Sequence, residues 1–264
     1  MRRLASELAF LGNLVKMNLA SAMEYRAGFI SQVLGMLINN GIYFLFWLIY
    51  FDRFAEIRGY RINEIYLLFA VVAAGYGLAY ALCGNAARLP ALIAEGRLDY
   101  YLALPRPVLP HVLMTHCQVS TIGDISFGIV AYLFTGRFSP LDILLFGIAC
   151  ILVAIIMVAF ATLFGTLAFH FGSAQQIASQ AQNAIVTFAL YPAGLFQGWV
   201  KFVLLTLIPA AFVGAVPVEL ITTHSAGALV RLATFALAIA LVATLSFYSG
   251  LRRYESGSAL NVNL

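Results

Sequence analysis

Three polar side chains stand four residues apart within an apolar stretch: His116, Ser120 and Asp124. On a continuous helix this i, i+4, i+8 spacing lines them along one face. A second series, Gln176, Gln180, Asn183 and Thr187, follows i, i+4, i+7, i+11 and makes a stripe of amides and a hydroxyl. An ionised carboxylate at mid-membrane costs at least about 2.5–3.5 kcal/mol on insertion scales, so Asp124 must face protein or a water-filled cavity, or carry a proton. Two readings stay open: the wall of a polar pathway or proton site, and an interhelical hydrogen bond. The amide stripe, poorly placed against lipid, suits a subunit seam or a polar route.

Covalent chemistry finds no support in the chain. It contains no G-x-x-x-x-G-K-[ST] phosphate loop, no H-E-x-x-H and no G-x-S-x-G. His111 and His116 are five apart and diverge around a helix, while His170 and His224 are isolated. Gly123-Asp124 resembles an intramembrane aspartyl protease motif, but no second membrane Asp completes a dyad. Cys83, Cys117 and Cys150 lack the spacing of a metal knuckle or disulfide framework and read as small apolar residues. Neither a catalytic residue nor a metal site is expected on this chain.

The segment Arg88–Pro107, RLPALIAEGRLDYYLALPRP, is the densest run of charge, glycine and proline. Pro90 suits the first turn of a helix and Gly96 its end. Arg88, Glu95, Arg97, Asp99 and Arg106 provide charge. Leu98, Tyr100, Tyr101 and Leu102 provide apolar surface, and Pro105, Pro107 and Pro110 stiffen the exit. A short rigid helix fixed at both ends to membrane spans would act as a lever for a soluble partner. The plain alternative is an ordinary inter-span loop.

The elements that hold these residues are membrane helices. Hydrophobic residues form 62% of the 264-residue chain and charged ones 10%, with a mean hydropathy of +0.93. A soluble domain carries roughly a quarter charged residues. About 20 apolar residues cross a bilayer as a helix, which predicts an all-α membrane protein with six spans near 28–51, 64–86, 109–135, 141–169, 176–197 and 228–251. The chain forms one transmembrane domain. Residues 1–27, with Leu4, Leu8, Leu11, Val15 and Leu19 on one face, predict an amphipathic elbow helix on the membrane surface. Small residues from Ala73 to Ala81 mark the second span as a packing face. With both termini cytoplasmic, 9 of the 15 Lys and Arg fall inside, in line with the positive-inside bias. That distribution argues for a membrane context and against nucleic acid.

After Thr187 the pattern becomes irregular, with Tyr191-Pro192, Gly198, Trp199, Lys201, Pro209 and Pro217. Proline inside a helix costs about 3 kcal/mol or more. The fifth span should therefore end near Phe196. Two short helices, about 199–208 and 210–221 within an outer segment 198–227, should then dip back into the membrane, where protein or water must satisfy their backbone.

These features resemble the permease subunits of ABC-2-type exporters, in particular six-span bacterial permeases. One local likeness is G-x-L-D-x-x-L-x-x-P, here Gly96, Leu98, Asp99, Leu102 and Pro105. The other is Y-P…G…I-P-x-A-F…P, here Tyr191-Pro192, Gly198, Ile208-Pro209, Ala211-Phe212 and Pro217. Ala103-Leu104 departs from the leucine plus polar residue often found before that first proline. The resemblance implies a coupling helix in 87–108, a second permease copy or sister permease, and two separate ATPase subunits that bind the ATP and Mg. It implies export across a bacterial inner membrane. On this reading Arg88, Glu95, Gly96, Leu98, Asp99, Pro105 and Arg106 couple to the ATPase, and His116, Ser120, Asp124, Gln176, Gln180 and Asn183 line the pathway. The alternative is an ion- or proton-coupled secondary carrier using Asp124.

Overall fold

A computed structural model describes residues 2–171, 174–199, 202–203 and 207–254. Every regular element among them is helical: α1 Arg2–Glu24, α2 Arg26–Arg53, α3 Ile62–Leu82, α4 Leu89–Ala94, α5 Leu98–Leu102, α6 Val108–Met114, α7 Thr121–Leu133, α8 Pro140–Gly165, α9 Ala174–Ala189, α10 Ala210–Val213, α11 Ala215–Thr223 and α12 Ala226–Leu251. Four are long and apolar enough to cross a membrane: α2, α3, α8 with its 3-10 extension Thr166–Phe169, and α12. α7 and α9 have 13 and 16 residues. At 1.5 Å per residue they reach only about 20 and 24 Å, short of a hydrocarbon core of about 30 Å.

α3 forms the centre of the bundle and packs most extensively on α7 and α8, while α8 also carries α12. Its small residues permit backbone-to-backbone approach, as the composition of 73–81 predicts. A Cβ on Gly77 would lie 2.8 Å from the Thr121 carbonyl and Ile125 nitrogen of α7. One on Gly128 of α7 would lie 2.7 Å from the Ala74 nitrogen. Such contacts replace the hydrophobic drive that lipid removes.

The stretch 109–135 differs from the single helix its apolarity suggests. α6 stops at Met114 and the chain turns through 115–120 before α7 begins. The break survives because its polar groups are answered locally. The Gly84 N–H donates to the His116 carbonyl at 2.9 Å, and the Gln118 N–H donates to the Tyr80 carbonyl at 3.0 Å. Asn85 Nδ2 donates to the Val112 carbonyl at 2.8 Å, and Asn18 Nδ2 to that of Met114 at 3.2 Å. Irregular backbone is tolerated at depth where protein satisfies it. Gly84 is required here, because a Cβ would sit 2.7 Å from the His116 oxygen.

The bundle has two polar ends. The platform end carries α1, the segment 84–120 and Tyr254, whose phenol faces Asp99; burial and that carboxylate push it up to about 12. At the opposite end, Asp142 in the first turn of α8 accepts a 2.8 Å bond from Ser139 Oγ and meets His224 Nε2 at 2.7 Å. Glu219 pairs there with Arg231. α9 ends at Ala189, earlier than Phe196, because Leu190–Pro192 turns the chain. The expected helix over 210–221 is split into α10 and α11 at Gly214, where a Cβ would collide with the Ala189 carbonyl of α9. Half of the expected helix 199–208, namely residues 200–201 and 204–206, lies outside the described residues, as do the side chains of Leu4 and Leu8.

Candidate functional site

Two sites emerge, one inside the bundle and one at the platform end. The first is a cavity of about 670 Å³ bounded by α2, α3, α7 and α9. Gly123 lets α2 lie directly on α7, since a Cβ there would meet the Val33 carbonyl at 2.6 Å and the Met36 side chain. That contact brings Asn40, one turn further along α2, against Asp124. Its Nδ2 donates to Asp124 Oδ1 at 2.7 Å. Asp124 is 3% exposed, and its Oδ2 has no hydrogen-bond partner. Asn183 and Thr187 of α9 enter the same space, with Gln182, whose buried Nε2 is also unpartnered. Tyr76 of α3 completes the polar part. Toward the opposite end the wall becomes aromatic, where Trp47 and Tyr191 meet edge-to-face at 5.8 Å.

The structure thus brings together Asp124 from one stripe with Asn183 and Thr187 from the other, and separates the rest. His116 and Ser120 do not share a helical face with Asp124, because 115–120 is not helical. His116 is exposed at the platform end, and Ser120 precedes α7, where it accepts from Gln118 Nε2 at 3.3 Å. Gln176 and Gln180 lie on the exposed side of α9, outside the cavity. Asn39, Asn40, Tyr76 and Gln182 were missed by helical spacing alone. The signal was present, since two adjacent amides midway along an apolar span have no place against lipid.

The second site is the platform. α4 begins with Pro90 in its first turn and ends in a Schellman turn. The Arg97 N–H donates to the Leu92 carbonyl at 3.0 Å and the Gly96 N–H to that of Ile93 at 3.2 Å. Gly96 takes φ +72°, a left-handed conformation that glycine adopts without the Cβ penalty. Leu89, Pro90, Leu92, Ile93, Leu98 and Tyr101 form the buried base. α4 rests on the Thr166–Phe169 turn and on the ends of α8 and α9.

The exposed crest carries Arg88, Glu95, Arg97, Asp99, Tyr100, Leu102 and Pro105, with Arg97 Nε 2.9 Å from Glu95. Leu98 was expected to offer apolar surface, but it is fully buried and anchors the platform, because α5 turns it inward with Tyr101. Arg106 is also engaged within the chain. It pairs with Glu7 of α1 at 3.1 Å and lies 3.7 Å above the Phe10 ring. Arg88, Arg97, Tyr100 and His116 edge an open recess of about 450 Å³ on the crest.

In the distal motif, Pro192 and Pro217 are buried, while Gly198 takes φ +58°. Phe212 stacks on Phe235 of α12 with centroids 4.0 Å apart, and Pro209 starts α10. Phe212 on α10 and the buried Pro217 on α11 help fasten these two helices to the bundle. Among the described residues no group of His, Cys, Asp and Glu could hold a metal ion.

Apolar helices of spanning length, a polar cavity within the bundle and a charged platform at one end define a membrane protein of the helical-bundle class. The chain belongs to the ABC-2 family of transporter proteins: the family model described as "ABC-2 family transporter protein" matches residues 37–258, from the middle of α2 to beyond α12. It is therefore a membrane transport subunit, not a catalytic one. No curated protein and no solved structure matches it.

Proposed function

We propose that this chain is the permease subunit of an ATP-driven exporter in a bacterial inner membrane, with both termini cytoplasmic and its motor on separate ATPase subunits. The observation that carries the reading is the platform: a short helix with a buried apolar base, a glycine-locked turn and a charged, exposed crest. Six crossings result if α7 and α9, extended by their flanking segments, complete the four long helices. α1 then serves as the interfacial elbow, and α10 and α11 as the re-entrant pair. Lys16, Arg26, Arg88, Arg97, Arg106, Arg252 and Arg253 collect at the cytoplasmic end, as the positive-inside bias requires.

Nucleotide and Mg bind the partner. When the ATPases close, the crest is pushed and α4 transmits the displacement to the base of α9, whose far half lines the cavity. Two permease copies, or this chain and a sister, enclose the route. Glu95, Asp99, Arg88 and Pro105 supply the contact surface, and Gly96 and Leu98 hold its shape.

Co-expression with the ATPase tests this. Gly96→Pro places a ring with φ fixed near −65° where +72° is needed, so it should abolish ATPase co-purification while membrane insertion persists. Asp99→Ala should weaken the association. Wild-type ATPase binding and ATP-dependent transport in both variants would refute the lever. Transport by the chain alone under an imposed pH gradient, lost in Asp124→Asn, would establish the secondary-carrier alternative.

A further inference from the structure

The cavity around Asp124 is narrower in its chemistry than a general polar route requires. Among its described lining residues there is one acid and no Lys, Arg or His. The carboxylate spends one oxygen on Asn40, and the other, within a 3% exposed side chain, remains unpartnered. Beyond it the wall carries the rings of Tyr43, Phe46, Trp47 and Tyr191. Aromatic faces attract cations through their quadrupole and accept apolar bodies equally well.

We infer that this cavity binds a monocationic amphiphile, a lipophilic amine or quaternary ammonium compound, with its charge on Asp124 Oδ2 and its apolar body along the aromatic wall. The assignment rests on the cavity being the transport route proposed above. With Asp124 ionised, a neutral cargo could offer Oδ2 a hydrogen bond but no counter-charge, and an uncompensated charge in a low-dielectric space is costly. An anion would meet the carboxylate with no cation to offset it. A dication would find one counter-charge where it needs two. The amides of Asn39, Gln182 and Asn183 hold no formal charge and add hydrogen bonds without altering this balance.

The test is equilibrium binding of radiolabelled tetraphenylphosphonium to the full chain with its ATPase in phosphatidylcholine nanodiscs, with empty discs subtracted. Tetraphenylborate, of nearly the same shape and opposite charge, is the control. The phosphonium should bind saturably and the borate should not. Asp124→Asn should weaken phosphonium binding about tenfold or more, the scale of a lost close charge pair, and Asp124→Glu should retain most of it. Thr187→Lys, an exposed position at the cavity rim, should weaken it comparably and carries the test if Asp124→Asn fails to fold. Equal saturable binding of both ions, or phosphonium binding indifferent to these substitutions, overturns the inference. ATPase co-purification is scored on the same samples: absent phosphonium binding with the ATPase still bound rejects the cargo class and leaves the permease reading standing.

Discussion

At the platform end, the α6–α7 break and the turn after α4 create open backbone groups, and neighbours answer them. Gly84, Asn85 and Gln118 close the break, and the Gly96 turn caps the last carbonyls of α4. In the cavity, Asp124 Oδ2 and Gln182 Nε2 are buried and left without partners. Buried polar groups are ordinarily satisfied, and these two unpartnered atoms face one shared cavity, where a bound ligand can answer them. The contrast separates a part built to keep its shape from a part built to receive something. On the function proposed above, force enters through the first and is expressed in the second, with α3 and α9 between them.

The contrast can be broken most severely at the joint itself. Gly128→Val would force α7 away from α3, since even a Cβ would lie 2.7 Å from the Ala74 nitrogen. Overpacking a rigid backbone contact costs about 3 kcal/mol. The variant should show a large loss of monodisperse protein on detergent extraction, whereas Gly147→Ala, with open space around it, should extract normally.

The platform's two layers should separate in the next pair. Leu98→Ala removes a fully buried side chain from the base, at a cost of about 2–3 kcal/mol, visible as a lower thermal unfolding temperature. Tyr100→Ala removes a side chain that is 65% exposed and should leave that temperature unchanged while reducing ATPase association. If Tyr100→Ala destabilises the isolated chain as much as Leu98→Ala does, the crest is structural and the layered description fails.

Within the cavity, Asn40→Leu deletes the hydrogen bond that the Asp124 carboxylate accepts from Asn40. Stranding a buried acceptor costs about 1–3 kcal/mol, so a stability loss near 2 kcal/mol is expected. The double substitution Asn40→Leu, Asp124→Leu should recover part of it, because removing both partners avoids the stranded group. Thermal unfolding of the four-member cycle reads the coupling directly.

How much of this was legible beforehand follows the physics of each signal. Span positions rest on long apolar runs, and α2, α3, α8 and α12 begin and end within a few residues of expectation. The small residues of α3 and the glycine at the end of α4 also declared their roles, because each answers a local steric demand. The His116–Ser120–Asp124 stripe misled because spacing implies a face only while the helix continues. The break depends on Gly84, Asn85 and Asn18, which are distant in sequence from the segment they satisfy. Leu98 likewise could not be assigned a direction from a five-residue helix that is folded back on the bundle. Asn40 was readable as an amide in an apolar span, but its pairing with Asp124 depends on α2 crossing α7 at Gly123.

The smallest expected effect probes whether α1 belongs to the platform. Arg106 joins them through Glu7 and the Phe10 ring, with both charged side chains about one-third exposed. A partly exposed ion pair and a cation–π contact together contribute only about 1 kcal/mol. Arg106→Ala should therefore lower the unfolding temperature slightly and increase proteolysis within α1. Arg106→Lys should keep the charge but lose the planar stacking and fork geometry, and so fall between the two. Glu7→Gln should reproduce the ion-pair share, and that share should shrink as salt is raised. If Arg106→Ala leaves α1 fully protected yet abolishes ATPase association, Arg106 belongs to the crest. The boundary between the shape-keeping and partner-facing parts of the platform would then move by one turn.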